Sequence, residues 1–338
     1  MTNAITPDCE HAINPAPNAS TAFFFLTLSI FTVGLNKNTH LNIMYICPAI
    51  TDHAILFHGK KVLDFLQGMC TSNVDSLQTS QALATTFCQH QGKLVALGTL
   101  AMLSPEQILF IGQPCTLSTL LDYLHPFLQL SRVTASIEKI TCFGLIQAHQ
   151  NSERTPYHVR NQSQFSLISI AKNLSIGFTL DPSHTLNPSS FGTICSLSFW
   201  HAHLIQNHIP ILTKNTLSQF TPNMLGLVPS MRVSLQKGCY CGQEIIARSH
   251  HLGKAKRQLL TFTTTYELPS LQPGQTQYLS LPKSKEISSR KITILFGAAI
   301  QNTHYIQACG PILQASDPIT LSQKPEDCSA TAISVTPV

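Results

Sequence analysis

The architecture of this chain is most readily inferred from one segment, Lys237-Gly238-Cys239-Tyr240-Cys241-Gly242-Gln243-Glu244. Glycines on both sides of Cys239 and Tyr240 predict a backbone that bends tightly or lets a ligand approach closely. The residues that follow predict a helix, because Glu244 and Arg248 stand in the favourable i,i+4 order. Cys239 would then lie just before a helix N-terminus and beside Lys237, and both features favour a thiolate. Most free cysteines are small buried hydrophobes, so on chemistry alone both interpretations of Cys239 stay open.

The segment resembles the Lys-Gly-Cys-Tyr-x-Gly-Gln-Glu signature of the YgfZ family, whose members are folate-binding-type proteins related to the aminomethyltransferase (T-protein) of glycine cleavage. The resemblance extends over roughly residues 45 to 310. Its other blocks are Phe65-Leu66-Gln67-Gly68-x-x-Thr71, Gln91-Gly92-Lys93, Phe220-Thr221-Pro222-Asn223, Ala247-Arg248 and Gly253-Lys254-Ala255-Lys256-Arg257.

This resemblance implies an α+β fold. An aminomethyltransferase-like, folate-binding body of mixed sheets and helices would span residues 44–250, with room for two subdomains. A small C-terminal β-barrel would span residues 251–322, and residues 323–338 would form a tail. Turn signals such as Pro273-Gly274 and short Thr- and Leu-rich strand patterns at residues 258–263, 277–281, 292–299 and 305–308 support an all-β module there.

The resemblance also implies a function. The chain would bind tetrahydrofolate or a related folate and support iron–sulfur cluster assembly or repair, and thereby tRNA modification. It would be a binding and assembly factor rather than an enzyme. Its partners would be iron–sulfur assembly proteins or client iron–sulfur enzymes, with tRNA as a further candidate. A cytoplasmic location without stable membrane association is expected.

The site residues are carried over position by position. Cys239 would be the redox or cluster-contacting thiol. Lys237 and Arg248 would supply positive charge. The remaining ligand-binding candidates are Gly238, Tyr240, Gly242, Gln243, Glu244, Gln67, Gly68 and Gln206.

The chain departs from the family at several of these positions. Gln206 replaces a glutamate that in the related aminomethyltransferases helps to hold the folate pterin. His208 and Arg232 stand where the family has glycine, and Gly226 where it has asparagine. Cys241 fills the variable position of the signature.

Two other functions remain open. A folate-dependent one-carbon transferase would need a carboxylate positioned near the folate nitrogen, and the loss of the glutamate at position 206 speaks against it. A tRNA-binding module would need a basic surface. Between Arg232 and Arg257 there are six Lys or Arg residues and one acid, which predicts an anion-facing patch. The total of 21 Lys and Arg is low for a dedicated nucleic-acid binder.

Composition limits the class of protein. Charged residues are only 11% of the chain, and 43% hydrophobic content argues against general disorder. The 11 cysteines have no regular spacing, which favours reduced thiols in a cytoplasmic protein over a disulfide framework. Cys239, Cys241, His250 and His251 match zinc-site spacing poorly, so no metal site is predicted. Transient contact with an iron–sulfur cluster would need further ligands from a partner or a dimer.

Residues 1–43 differ from the rest. Their apolar run, residues 22–35, is shorter than the roughly 20 residues of a membrane span, and acids rather than Lys or Arg precede it. We expect translation to begin at Met44 and residues 1–43 to be a non-native or disordered leader. A weak anchor or a cleaved signal is the alternative.

Overall fold

The computed structural model describes residues 44–337 with gaps. The gaps are residues 80, 148–156, 158, 162–163, 185, 231, 254–255, 266–269, 283–286, 314–318 and 323–330. The leader prediction for residues 1–43 lies outside the described residues.

The body is built on one nine-stranded sheet. Its strands are β1 (Met44–His58), β2 (Ala82–Cys88), β3 (Leu94–Ser104), β4 (Gln107–Gly112), β5 (Thr134–Gln147), β6 (Val159–Asn161), β7 (Ser166–Ala171), β8 (Leu174–Thr179) and β9 (Thr193–Ile194). The order is β2-β3-β4-β1-β5-β8-β7-β6, and short β9 pairs with β1. The neighbours pair antiparallel, apart from the parallel β1–β9 pair.

Helices cover both faces of this sheet. They are α1 (Val62–Met69), α2 (Pro114–Ser131), α3 (Leu197–Gln206) and α4 (Gln243–His251). Alternate β1 residues point to opposite faces. Phe57 packs in the cluster that includes Val62 of α1 and Leu120 of α2, whereas Ala54 packs in the cluster that includes Trp200 of α3.

Trp200 lies directly on the sheet. A Cβ at Gly144 of β5 would approach the Trp200 ring to 2.5 Å, so glycine is required for this contact. Ser196 caps α3, because its side chain accepts a hydrogen bond from the Phe199 N–H at 3.2 Å. The cap and the ring contact together fix α3 over the sheet.

The C-terminal module consists of antiparallel strands. They are β10 (Arg257–Thr264), β11 (Thr276–Pro282), β12 (Ile287–Ile300), β13 (Thr303–Pro311), β14 (Ile319–Ser322) and β15 (Thr331–Pro337). They pair in the order β10-β13-β12-β11-β14-β15, and β10 also pairs with β15, so the pairings run round in a ring. The predicted α+β class is confirmed.

Strand β15 lies inside the segment that the sequence assigns to a tail, residues 323–338. The strand pairs with both β10 and β14, so the module extends past the predicted boundary at residue 322. Thr, Ile and Val supply four of its seven residues, Thr331, Ile333, Val335 and Thr336, and these types favour strands.

Body and module meet in a shared apolar cluster. Leu94 of β3, Ile246 of α4, and Leu259 and Leu295 of the module belong to it. Gln307 of β13 adds a polar contact, accepting from the Ile211 N–H at 3.0 Å and donating to the Ile209 carbonyl at 2.8 Å. None of the described helices has the length and apolarity needed to cross a bilayer.

Candidate functional site

Three blocks that are far apart in sequence converge, namely the 237–244 segment and two others that pack against it. The Cys241 N–H donates to the Gly68 carbonyl at 3.1 Å, and the Ser234 N–H donates to the Thr71 carbonyl at 2.8 Å. The β2–β3 turn, which contains Gly92, lies against Gly242. The structure therefore brings the 65–71 block and the 91–93 turn to the segment that carries Cys239.

The glycines of the segment differ in what they require. Gly242 has φ +84°, and a Cβ there would come within 2.6 Å of the Gln89 carbonyl oxygen and 3.1 Å of Gly92 Cα. Only glycine satisfies both conditions, which confirms the predicted tight bend at this position. A Cβ at Gly238 would meet no atom within 4 Å, so open space surrounds that residue.

Cys239 is exposed. It precedes α4, which begins at Gln243. The interpretation of Cys239 as a buried hydrophobe is therefore wrong, whereas it holds for Cys70 and Cys88, which are buried close to the same segment. The sulfur is accessible to a reactant or to a partner protein.

Lys237 has a different task from the predicted one. Its ammonium donates to the carbonyl oxygens of Cys70 at 2.8 Å and Ser72 at 2.7 Å, and it lies 5.0 Å from the ring centroid of Tyr240. The side chain is buried, and burial lowers its pKa. Lys237 thus holds the 237–244 segment against the residues that follow α1, and its charge is directed at the Cys70 and Ser72 carbonyls.

The other candidates of the segment mostly contact one another. Tyr240 is buried, burial raises its pKa, and its hydroxyl has no hydrogen-bond partner in the described part of the chain. The Gln243 amide lies 3.4 Å from the Lys237 carbonyl. Arg248 pairs with Glu244 at 2.7 Å on the exposed side of α4, so its charge is largely matched there.

The two candidate glutamines lie apart. Gln67 donates to Asn73 Oδ1 at 2.8 Å and Asp75 Oδ2 at 2.9 Å, and accepts from the Val74 N–H at 2.8 Å. It therefore holds the turn after α1. Gln206 is exposed at the end of α3. Their predicted roles in ligand binding remain predictions.

Sequence reasoning missed Tyr123. Its hydroxyl lies 3.1 Å from Cys241 Sγ and donates to the Cys88 carbonyl at 3.1 Å. Burial raises the pKa of Tyr123, and it raises the pKa of Cys88 to about 12. Tyr123 lies in α2, and only its helical spacing is visible in the sequence, so no signal pointed to this contact.

The predicted basic patch does not form as a surface. Arg232 and Lys237 are buried. Arg257 turns inward, donating to the Cys309 carbonyl at 2.7 Å. Of the six cations, Lys254 lies outside the described residues, and Lys256 is exposed. Proximity in sequence indicated a shared surface, but burial separates these side chains.

A cavity of about 80 Å³ lies between the sheet and α3, in the body. Trp200, His201, Tyr157 and Arg232 line it, and none of its described lining residues is Asp or Glu. Burial lowers the pKa of His201 to about 4, and His201 Nδ1 has no hydrogen-bond partner among the described residues. Sequence reasoning did not place Arg232 or His201 in a site.

The chain is similar in sequence to "tRNA-modifying protein YgfZ" from Colwellia psychrerythraea. The two are 29% identical over 236 residues, which covers 64% of this chain and 70% of the relative. The protein of the same name from Aliivibrio fischeri is 26% identical over 237 residues, covering 68% of this chain and 74% of that one. No protein-family model matches the chain.

The fold is that of a glycine cleavage aminomethyltransferase. The crystal structure of the glycine cleavage system aminomethyltransferase T from Bartonella henselae matches with a TM-score of 0.67. The match covers 88% of this chain and 86% of that one at 10% identity, so it speaks for the fold alone. Sequence matches and shared fold together identify the chain as a homologue of the YgfZ proteins on the T-protein fold.

Proposed function

We propose that this chain supports tRNA modification through iron–sulfur chemistry, with the Cys239 thiol as its working group. The observation that carries the proposal is the exposure of Cys239 at the point where the three YgfZ-like blocks converge. Its relatives bear the name tRNA-modifying protein. The chain's own contacts explain how the sulfur is presented.

The presentation is rigid. Gly242 fits only as glycine against the β2–β3 turn, and Lys237 fastens the other end of the segment to the Cys70 and Ser72 carbonyls. Cys239 lies between these two fixed points. An exposed thiol that is held in place can contact a cluster or a reactive sulfur species on another protein.

A cluster would be cargo rather than a resident group. No set of three or more His, Cys, Asp or Glu side chains comes together for a metal within the residues that the structure covers. Cys239 would supply one thiolate, and the remaining ligands would come from the partner that donates or receives the cluster.

No contact among the described residues assigns the predicted folate to this cavity. Gln206, which was expected to hold the pterin, is exposed and does not line this cavity. The proposal therefore assigns no step to folate, and titration with tetrahydrofolate tests that part of the resemblance separately.

The transferase alternative finds no support in the cavity. A one-carbon transferase needs a carboxylate beside the reacting nitrogen, and neither Asp nor Glu lines the described cavity. Direct binding of tRNA finds little support as well, since three of the six clustered cations, Arg232, Lys237 and Arg257, are buried or turned inward.

Complementation tests the role of Cys239. In a bacterial strain that lacks its own YgfZ, we expect Cys239→Ser to restore none of the tRNA nucleosides made by iron–sulfur enzymes, measured by mass spectrometry. The hydroxyl is similar in size to the thiol but ionises far less readily. Because the side chain is exposed, unfolding stability should change by less than about 0.5 kcal/mol.

Cys195→Ser is the matched control, because Cys195 is partly exposed but lies outside the segment. It should complement like the unchanged chain. Full restoration of the modified nucleosides by Cys239→Ser would remove the thiol from the mechanism.

A further inference from the structure

Arg232 lies in the loop that precedes the 237–244 segment. Its backbone is fixed on both sides, because its N–H donates to the Leu227 carbonyl at 3.2 Å. Its own carbonyl accepts from Thr71 Oγ1 at 2.7 Å and Ser72 Oγ at 2.9 Å. The side chain is therefore directed into the body from a rigid anchor.

Among the described residues, no counter-charge lies against the guanidinium. Arg232 is only 7% exposed, yet it takes part in no ion pair and no side-chain hydrogen bond within the part of the chain that the structure describes. It lines the cavity, and none of the described residues around the cavity is Asp or Glu. A buried cation without a partner is costly to a fold, so a site of this kind favours an anion from outside.

Other polar groups face the same cavity. His201, also 7% exposed, has an Nδ1 atom without a hydrogen-bond partner among the described residues. Arg232 is close enough to Tyr157 for its charge to oppose the rise that burial causes in the pKa of the Tyr157 hydroxyl. Two buried polar side chains, one cationic and one with an unsatisfied nitrogen, thus line one small space.

Apart from Thr51, Thr99 and Gln113, the remaining wall is apolar, and it limits the size of a ligand. Leu97, Ile111, Leu204 and Trp200 contribute to it. The cavity volume of about 80 Å³ is several times the roughly 10–15 Å³ that one water molecule requires by the same measure. A ligand with a single negative charge and a short hydrocarbon part matches the one unpaired cation, the apolar walls and the volume.

We propose that the cavity between the sheet and α3 binds a short aliphatic monocarboxylate, with its carboxylate on the Arg232 guanidinium and its hydrocarbon part against Trp200. Arginine presents two parallel N–H donors that suit the two oxygens of a carboxylate. This inference goes beyond the proposed function and does not rest on it, because Cys239 does not line the cavity.

The ligand can be followed with the chain's own fluorophore. Trp200 is the only tryptophan in the sequence, and it lines the cavity. Titration of the intact chain with sodium propionate, at constant ionic strength set with sodium chloride, should give a saturable change in tryptophan fluorescence. Propionamide, which is neutral and nearly the same shape, should bind at least about tenfold more weakly, because it lacks the charge.

Variants locate the charge that is responsible. Arg232→Gln should weaken propionate binding at least about tenfold, and Arg232→Gly serves as a second variant if the glutamine chain does not fold, as judged by circular dichroism. Arg290→Gln removes an exposed arginine of the C-terminal module and should bind like the unchanged chain. Cys239→Ser should also bind normally, which separates this inference from the proposed function.

Three results would overturn the inference. The first is the absence of a saturable signal with propionate, and the second is equal affinity of the unchanged chain for propionate and propionamide. The third is unchanged affinity in a folded Arg232 variant. The first two use the unchanged chain, so they decide the matter even if neither variant folds.

Discussion

Single buried side chains determine much of this site, and His201 shows how they respond to pH. Burial lowers its pKa from 6.5 to about 4, so the native chain holds it neutral between these values. The unfolded chain, by contrast, binds a proton there as the pH falls below 6.5. The unfolded state thus binds more protons, and stability rises with pH across this window.

As the pH is lowered from 6.5 to 5, we expect His201 to reduce the free energy of unfolding by about 2 kcal/mol. This figure follows from a slope of about 1.4 kcal/mol per pH unit. Urea unfolding at both pH values measures the loss, and His201→Gln should show a loss smaller by that amount. Arg232 and Tyr157 line the same cavity. An identical pH dependence in both chains would show that His201 does not titrate in this way.

Lys237 gives a second prediction at this scale. Lys237→Met keeps an apolar stem of similar length but removes the donor to the Cys70 and Ser72 carbonyls. Each buried acceptor left unsatisfied costs about 1–3 kcal/mol. We therefore expect the free energy of unfolding, measured in urea, to fall by about 2–4 kcal/mol. Lys256→Met, at an exposed position, should stay within about 0.5 kcal/mol.

For individual residues, the sequence predicted which residues form the site better than it predicted the contacts that those residues make. The family signature predicted which residues form the segment around Cys239. It did not predict that Lys237 would be bound by carbonyls more than 160 positions earlier in the chain. Local spacing carries no information on such contacts, and the same holds for the burial of Arg232 and for the Tyr123–Cys241 contact.

Among the elements, the bend at the start of α4 offers a matched pair of glycines. Gly242→Ala would place a Cβ 2.6 Å from the Gln89 carbonyl oxygen at φ +84°. Because both the contact and the backbone conformation oppose a side chain, we expect a loss of about 1–3 kcal/mol. Thermal unfolding measures it, and cellular complementation should fall as well, because the bend positions Cys239.

Gly238→Ala is the control for this pair. Its Cβ would enter open space, so stability should change by less than about 0.5 kcal/mol. If Gly242→Ala were as stable as Gly238→Ala, the close packing of the segment on the β2–β3 turn would not be required by the fold.

Regular alternation made some elements predictable and others not. The apolar and Thr-rich run at residues 82–88 predicts a strand, and β2 has these bounds. In the first strand, the short apolar run at residues 54–57 is the part that the sequence predicts, although β1 runs from Met44 to His58. Its pairing with β5 shifts register between Cys47 and Thr51 and again before His53, and these irregularities break the alternation on which such a prediction depends.

Strand β5 illustrates the opposite case. The sequence pattern predicts two separate strands, at residues 132–137 and 143–147, whereas the structure has one, Thr134–Gln147. Glu138 and Lys139 lie in the middle and resemble a loop. They are accommodated because this half of the strand faces outward, as its mostly exposed and half-buried residues show, so tertiary position overrides local preference.

For the whole molecule, the contact between the body and the C-terminal module determines whether the two unfold together. The segment around Cys239 belongs to the apolar cluster that joins them. Gln307 is fully buried and provides a polar connection, satisfying both the Ile211 N–H and the Ile209 carbonyl. Such a bridge fixes position as well as contributing energy, because both partners are backbone groups.

Gln307→Leu retains the bulk of the side chain but leaves these two backbone groups without partners. We expect a loss of about 2–4 kcal/mol, since each unsatisfied buried group costs about 1–3 kcal/mol. Urea unfolding followed by Trp200 fluorescence reports on the body, and circular dichroism reports on the whole chain. In the variant, the two signals should separate, with the strand signal changing at lower urea, because the module is no longer fixed to α3.

Gln129→Leu, on the exposed side of α2, applies the same chemical change without a bridge and should leave the transitions coincident. Coincident transitions at an unchanged midpoint in Gln307→Leu would show instead that the apolar cluster alone couples the two parts.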